Sequence, residues 1–216
     1  AMYLGSGTSA SGRGGLMSIT VGSGNSGSGG DLILTSGSTS SGLGGGTGGQ
    51  ILMSSGTSSS QTGGRIYLKS GFSTTTTSGA IGIITSDSGS AGVSGYMILS
   101  TGVSVNGNSG AMYLGSGTSA SGRGGSIYIT VGSGNSGSGG DLILMGGTSS
   151  FSAGGQIYLS AGTSSVTTGG SIFIDSGKSS AYSSGVISIK TSDSSTNGVS
   201  GFMLLSTGVS TNGNSG

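Results

Sequence analysis

Two aliphatic side chains, two positions apart, return about every fifteen residues throughout this chain. Dividing the 216 residues after each glycine that precedes an apolar stretch gives fourteen units, most of them 15 residues long. Their consensus is x-φ-x-φ-x-x-G-x-S-x-x-x-x-G-G, where φ is aliphatic or Met. Positions within a unit are numbered one to fifteen below. The unit Asp31–Gly49 carries four extra residues, and Ala80–Gly95 and Val186–Gly201 carry one extra residue each.

A longer repeat contains the short one. The segment AMYLGSGTSASGRGG at 1–15 recurs letter for letter at 111–125. We therefore expect one continuous domain over 1–216, built from a first seven-unit repeat at 1–110 and a second at 111–216. The chain ends in GNSG at 213–216 and begins with AMYL, the two sequences that follow one another at 107–114. The end therefore fits the start in register, which predicts an interior stretch of a longer repeat or a subunit that stacks head to tail.

Positions two and four are aliphatic or Met in all fourteen units, and a spacing of two is the periodicity of a strand. The glycine content excludes helix, because each interior glycine costs about 0.5–1 kcal/mol relative to Ala. Stacking of successive units would align like residues in columns and bury them. The columns predicted to form this core include Met2, Leu4, Met17, Ile19, Leu32, Leu34, Ile51, Met53, Ile66, Leu68, Ile127, Ile129, Ile157, Leu159, Ile172 and Ile174.

The consensus glycines at positions seven, fourteen and fifteen divide the unit into two halves of similar length. Glycine adopts the positive φ values that corners often need. The Ser/Thr half would then form a second wall of small residues opposite the aliphatic wall. The sequence thus predicts an all-β fold, a flat two-sheet parallel β-solenoid with about 15 residues per coil and fourteen coils.

Position three lies between the two core columns and is expected to point outward. Eleven of its fourteen residues are aromatic or large aliphatic. Exposed apolar stripes usually mark contact surfaces, which favours lateral association. The alternative is β-propensity alone, since Tyr and Ile suit strands even when solvated. The predicted lateral-contact stripe is Tyr3, Ile33, Leu52, Tyr67, Ile98, Tyr113, Tyr128, Ile143, Tyr158, Phe173 and Leu204.

The composition argues against several function classes. Six Lys/Arg against five Asp form no basic patch for nucleic acid, and no apolar run approaches the ~18 residues of a membrane span. The chain lacks His, Cys and Glu, so we expect no enzyme, no cofactor and no metal site. The dense hydroxyls, as in STTTTS at 73–78, are candidate O-glycosylation sites, whereas no Asn-x-Ser/Thr sequon occurs.

The whole chain, through its GxS and GG spacing and aliphatic pairs, resembles Gly/Ser/Thr-rich tandem-repeat β-solenoid proteins of extracellular fibres and surface appendages. The resemblance implies a structural protein at the cell surface or outside the cell. Such a protein would form a filament or shaft by self-association, head to tail and laterally. The alternative is an ice-binding or polysaccharide-binding β-solenoid with a flat Ser/Thr face. Positions eight and ten do not form the unbroken Thr columns of ice-binding coils, as Thr8, Phe72 and Val103 illustrate.

Overall fold

A computed structural model describes residues 1–40 and 46–216 of the chain. These residues contain no helix and no strand. What recurs instead, in thirteen of the fourteen units, is a bend or turn near the middle of the unit's second half. Bends lie at 10–12, 25–27, 59–61, 74–76, 105–107, 120–122, 135–137, 150–152, 165–167, 180–182 and 211–213. Turns occupy 90–92 and 196–198, one position later in the two 16-residue units.

The prediction of an all-β, two-sheet solenoid of fourteen coils is wrong. The described residues form no strand ladder and contain no buried side chain, either apolar or polar. The physical reason lies in the small number of apolar groups in each unit. Burial of two medium-sized aliphatic side chains would stabilise a fifteen-residue unit. That stabilisation is smaller than the conformational entropy cost of ordering the fifteen backbone residues. A short local loop costs less to close than a long one, and this chain closes short loops.

The predicted core columns lie at the surface. The sixteen side chains proposed for them are 46–86% exposed. They are Met2, Leu4, Met17, Ile19, Leu32, Leu34, Ile51, Met53, Ile66, Leu68, Ile127, Ile129, Ile157, Leu159, Ile172 and Ile174. No stacked column therefore covers these residues, and the apolar face of each unit is open to solvent.

The period of two in the sequence is still visible in the exposure of the side chains. Thirteen of the fourteen position-two side chains are 46–56% exposed, with Met2 as the exception. The eleven residues of the predicted position-three stripe are 71–93% exposed. Neighbouring side chains of an extended segment point to opposite sides. In thirteen units the side chain at position two is thus the partly covered one, whereas those at positions three and four are mostly exposed.

The chain divides into two structural units, Ala1–Met112 and Tyr113–Gly216. Their boundary lies two residues beyond the end of the first seven-unit repeat at 110. Each structural unit contains the same series of loops.

Candidate functional site: the loop-closing positions

Most repeat units are closed into a loop by their own backbone. In the first unit, the N–H of Gly15 donates a hydrogen bond of 3.0 Å to the carbonyl of Gly7. The hydroxyl of Ser6 donates to the carbonyl of Gly15 at 2.9 Å. Positions seven and fifteen, called the closing pair below, thus hold the two ends of a loop whose bend is at 10–12. Both partners belong to one unit, so the bond needs no neighbouring unit.

The same closing bond occurs in ten units. Its N···O distance is 2.8–3.2 Å where position six is Ser, Ala or Gly. It lengthens to 3.4 Å in the unit with Val21 at position six and to 3.3 Å in the unit with Val131. A branched side chain at position six stands against the closing glycine, because a Cβ on Gly30 would lie 2.5 Å from Val21 Cγ1. The two units with Val at position six thus have the longest closing bonds.

Four units lack the closing bond, and all four carry Thr at position six: Thr85, Thr101, Thr191 and Thr207. They lie next to one another in two pairs, at the end of each seven-unit repeat. We call the two pairs the open segments, Ala80–Gly110 and Val186–Gly216. Each 110-residue or 106-residue repeat therefore has five closed units followed by two open ones.

The closing glycine is required by close contact rather than by backbone conformation. A Cβ on Gly155 would lie 2.9 Å from the nitrogen of Gly147, and a Cβ on Gly15 would lie 2.8 Å from Ser6 Cβ. The partner glycine, Gly147, has nothing within 4 Å of its Cβ position. No described glycine has a φ between +20° and +160°, so the expected positive-φ corners are absent.

Serine at position nine organises the tip of the loop. The hydroxyl of Ser58 accepts a hydrogen bond from the N–H of Gln61 at 2.9 Å, and Ser119 accepts one from Gly122 at 2.9 Å. Equivalent bonds join positions nine and twelve at Ser73, Ser104, Ser149, Ser164 and Ser179. Such side chain-to-backbone bonds stabilise turns locally. The sequence identified this serine column, but as part of a sheet wall and not as a turn.

The least exposed of the described residues all lie at these loop positions. Seven of the described residues are of intermediate exposure, and the rest are exposed. Five occupy position six, namely Ser36, Ser55, Ser70, Gly146 and Ala161, and two occupy position nine, namely Ser73 and Ser179. The interior of each loop is thus made of small residues, and the large apolar residues lie outside it.

Charged side chains contribute little to this arrangement. The guanidinium carbon of Arg65 lies 5.8 Å from the centroid of the Tyr67 ring, a weak cation–π contact at an exposed site. Within 1–40 and 46–216, no group of three or more potential ligands from His, Cys, Asp and Glu could hold a metal ion. The same residues contain no helix that is both long and apolar enough to cross a bilayer.

No protein-family model, no curated protein and no solved structure matches this chain.

Proposed function

We propose that this chain is a structural repeat protein that assembles with other copies of itself into extracellular material. One observation carries the proposal: large apolar side chains are exposed in every unit, and the described residues have no core that covers them. Extended exposed apolar patches usually mark contact surfaces. The stripe at position three, which includes Tyr113, Tyr128 and Tyr158, is 71–93% exposed and would supply lateral contacts.

A second copy of the chain is the partner that best fits this surface. The apolar positions recur about every fifteen residues, so two copies would match over many units at once. A formal net charge of +1 gives two copies little reason to repel each other. Assembly would use exposed side chains and backbone groups of separate loops, since residues 1–40 and 46–216 form no stacked coils from which a filament could be built.

Sedimentation velocity and electron microscopy of the purified chain over a wide concentration range test the proposal. We expect particles whose mass rises with protein concentration and which form ordered assemblies. A chain that stays monomeric at every concentration, with its apolar side chains exposed, would contradict a self-assembling role. Native material from the source cells, examined by microscopy, would show whether the assembly lies outside the cell.

The hydroxyls at the loop tips are the proposed positions of covalent O-glycans. In the STTTTS stretch, Ser73 and Thr76 are hydrogen bonded to each other at 2.9 Å. Thr74, Thr75 and Thr77 are exposed, and no hydrogen bond within the described residues involves their hydroxyls. Intact-mass spectrometry of native protein checks this: hexose-spaced masses located at Thr74 and Thr75 would support it, and a mass equal to the sequence would refute it.

Ice or polysaccharide binding stays a prediction, because no observation in the structure favours it. A thermal-hysteresis assay and a pull-down with insoluble cellulose or chitin would test it directly.

A further inference from the structure

Asparagine is followed directly by glycine at three places in this chain, and all three lie in the open segments. The asparagines concerned are Asn106 in Ala80–Gly110, and Asn197 and Asn212 in Val186–Gly216. The other four asparagines of the chain precede serine; they are Asn25, Asn108, Asn135 and Asn214. The Asn–Gly sequence is therefore confined to units that lack the closing bond.

Each Asn–Gly pair lies at a loop tip that is open to solvent. Asn106 and Asn212 are the middle residues of the bends at 105–107 and 211–213, and Asn197 lies in the turn at 196–198. All three side chains are exposed, and none of the described residues belongs to a helix or strand that would fix the backbone. Exposed segments with few packed contacts change conformation readily. An asparagine side chain at these tips can therefore meet the backbone nitrogen of the next residue.

Glycine as the next residue favours a reaction between these two groups. The backbone nitrogen of residue i+1 and the side-chain carbonyl carbon, Cγ, of asparagine i are separated by the number of bonds that closes a five-membered ring. Ring closure needs an unusual backbone conformation at the junction. Glycine adopts such conformations at little cost, since it has no Cβ to crowd its own nitrogen. Serine in the same place has a Cβ and opposes the approach.

We propose that Asn106, Asn197 and Asn212 are sites of spontaneous deamidation, with solvent water as the only co-reactant. The glycine nitrogen loses its proton to water or hydroxide and forms a bond with Cγ of the asparagine. The bond between Cγ and the side-chain nitrogen breaks, and that nitrogen takes up a proton and leaves as ammonia. Water then adds to either carbonyl of the resulting succinimide ring, and the ring C–N bond at that carbonyl breaks. The product is aspartate or isoaspartate, and no oxidation or reduction occurs.

Hydrogen bonds of the three glycine N–H groups should set the order of reaction. The N–H of Gly107 donates to the hydroxyl of Ser104 at 3.1 Å, and the N–H of Gly198 donates to the carbonyl of Ser195 at 3.2 Å. Within 1–40 and 46–216, no hydrogen bond involves the N–H of Gly213. A bonded N–H must be released before its nitrogen can attack. One typical hydrogen bond corresponds to a factor of about 2 to 13, so Asn212 should react faster than the other two sites by up to that factor.

Deamidation would change the charge of both open segments. Each reaction replaces a neutral amide by a carboxylate. Counting Asp87, Lys190 and Asp193, the formal side-chain charge would pass from −1 to −2 in Ala80–Gly110 and from 0 to −2 in Val186–Gly216. The formal net charge of the chain would pass from +1 to −2. These covalent changes occur in a single chain and do not depend on self-association.

The experiment incubates the purified full-length chain in neutral and in mildly alkaline buffer. Fragment-ion mass spectrometry measures the exchange of NH2 for OH at each asparagine, and separation of the peptide isomers distinguishes aspartate from isoaspartate. Gly107→Ser and Gly213→Ser are the variants. A Cβ at either position meets only a serine hydroxyl, at 3.4 Å, so the bends can accommodate it. Asn25 and Asn135, which also lie in loop-tip bends but precede serine, are internal controls.

We expect ammonia loss at the three proposed sites, fastest at Asn212, faster in the alkaline buffer, and with isoaspartate among the products. Each glycine variant should slow its own site by at least about two- to fivefold, the factor that corresponds to the backbone freedom of glycine. Intact amides after long incubation, equal rates at Asn25 and at the proposed sites, or an unchanged rate at Asn106 in Gly107→Ser would overturn the proposal. Aspartate without isoaspartate would show direct hydrolysis and refute ring closure. A reaction that requires cell extract would refute spontaneous chemistry.

Discussion

Alanine in place of Gly155 should open the loop that Gly155 closes. The new Cβ would lie 2.9 Å from the nitrogen of Gly147 and 3.4 Å from its carbonyl oxygen, and both neighbours are backbone atoms that cannot rotate away. The chain must therefore separate at the closing pair, and the 2.8 Å bond between Gly155 N–H and the Gly147 carbonyl is lost.

The magnitude follows from the exposed setting of this bond. A typical net contribution of one hydrogen bond is about 0.5–1.5 kcal/mol, which corresponds to an about 2- to 13-fold protection of its N–H from exchange. Amide hydrogen exchange of the full-length chain, followed by NMR, measures this protection at residue 155. We expect the factor to fall to about one in the Gly155→Ala variant.

Gly147→Ala is the matched control in the same loop. A Cβ at position 147 meets nothing within 4 Å, so the closing bond should persist. Loss of backbone freedom in the open state can even favour closure, by about 0.4–1 kcal/mol. The reasoning would be refuted if the amide at position 155 kept its protection in the Gly155→Ala variant, or if Gly147→Ala removed that protection as completely as Gly155→Ala does.

Three further predictions concern the loops and the exposed apolar side chains. Thr101→Ser should close an open unit, because the six units with Ser at position six all have the closing bond; the N–H of Gly110 should then gain protection from exchange, and an unchanged amide would contradict the role of position six. Ser58→Ala should remove the bond from Gln61 N–H at the loop tip and about 0.5–1.5 kcal/mol of local turn stability, seen as faster exchange of that amide. Ser60→Ala, at the same tip and without a hydrogen bond from its hydroxyl, is the control, and equal effects of the two would count against the tip assignment. Self-association should increase in sulfate, because excluded salts strengthen apolar contacts, and should change little in sodium chloride, because the chain has few charges to screen. Dissociation by sodium chloride in a sedimentation assay would indicate ionic contacts instead.

The sequence indicated the repeat but not how the units pack. The fifteen-residue period predicted a recurring structure, and the bends at 59–61, 74–76 and 165–167 follow that period. The glycines at positions seven and fifteen were identified as the points where the chain changes direction, and the structure joins them by a hydrogen bond within each closed unit. The prediction of stacked sheets failed because period-two alternation is compatible with any extended segment, whether or not a neighbour lies beside it.

The difference between open and closed units escaped prediction for a related reason. The consensus assigns no role to position six, which is Ser in six closed units and Thr in the four open ones. The signal was present in the sequence, since Thr occupies position six only in the last two units of each long repeat. Recognising it required knowing that position six faces the closing glycine, as the 3.8 Å approach of the Thr101 Cγ2 methyl to the Cβ position of Gly110 shows.

Self-contained loops tolerate changes in length. In the unit Asp31–Gly49, the bond from Gly49 to Gly37 spans twelve residues instead of eight, yet its length is 2.8 Å, equal to the shortest in the chain. Residues 41–45 of that unit lie outside the described part of the chain. Replication slippage or unequal recombination in the gene could therefore add or delete whole units, or a few codons inside one, without disturbing any other unit. Alleles with different numbers of repeat units would then encode chains of different length built from the same loops.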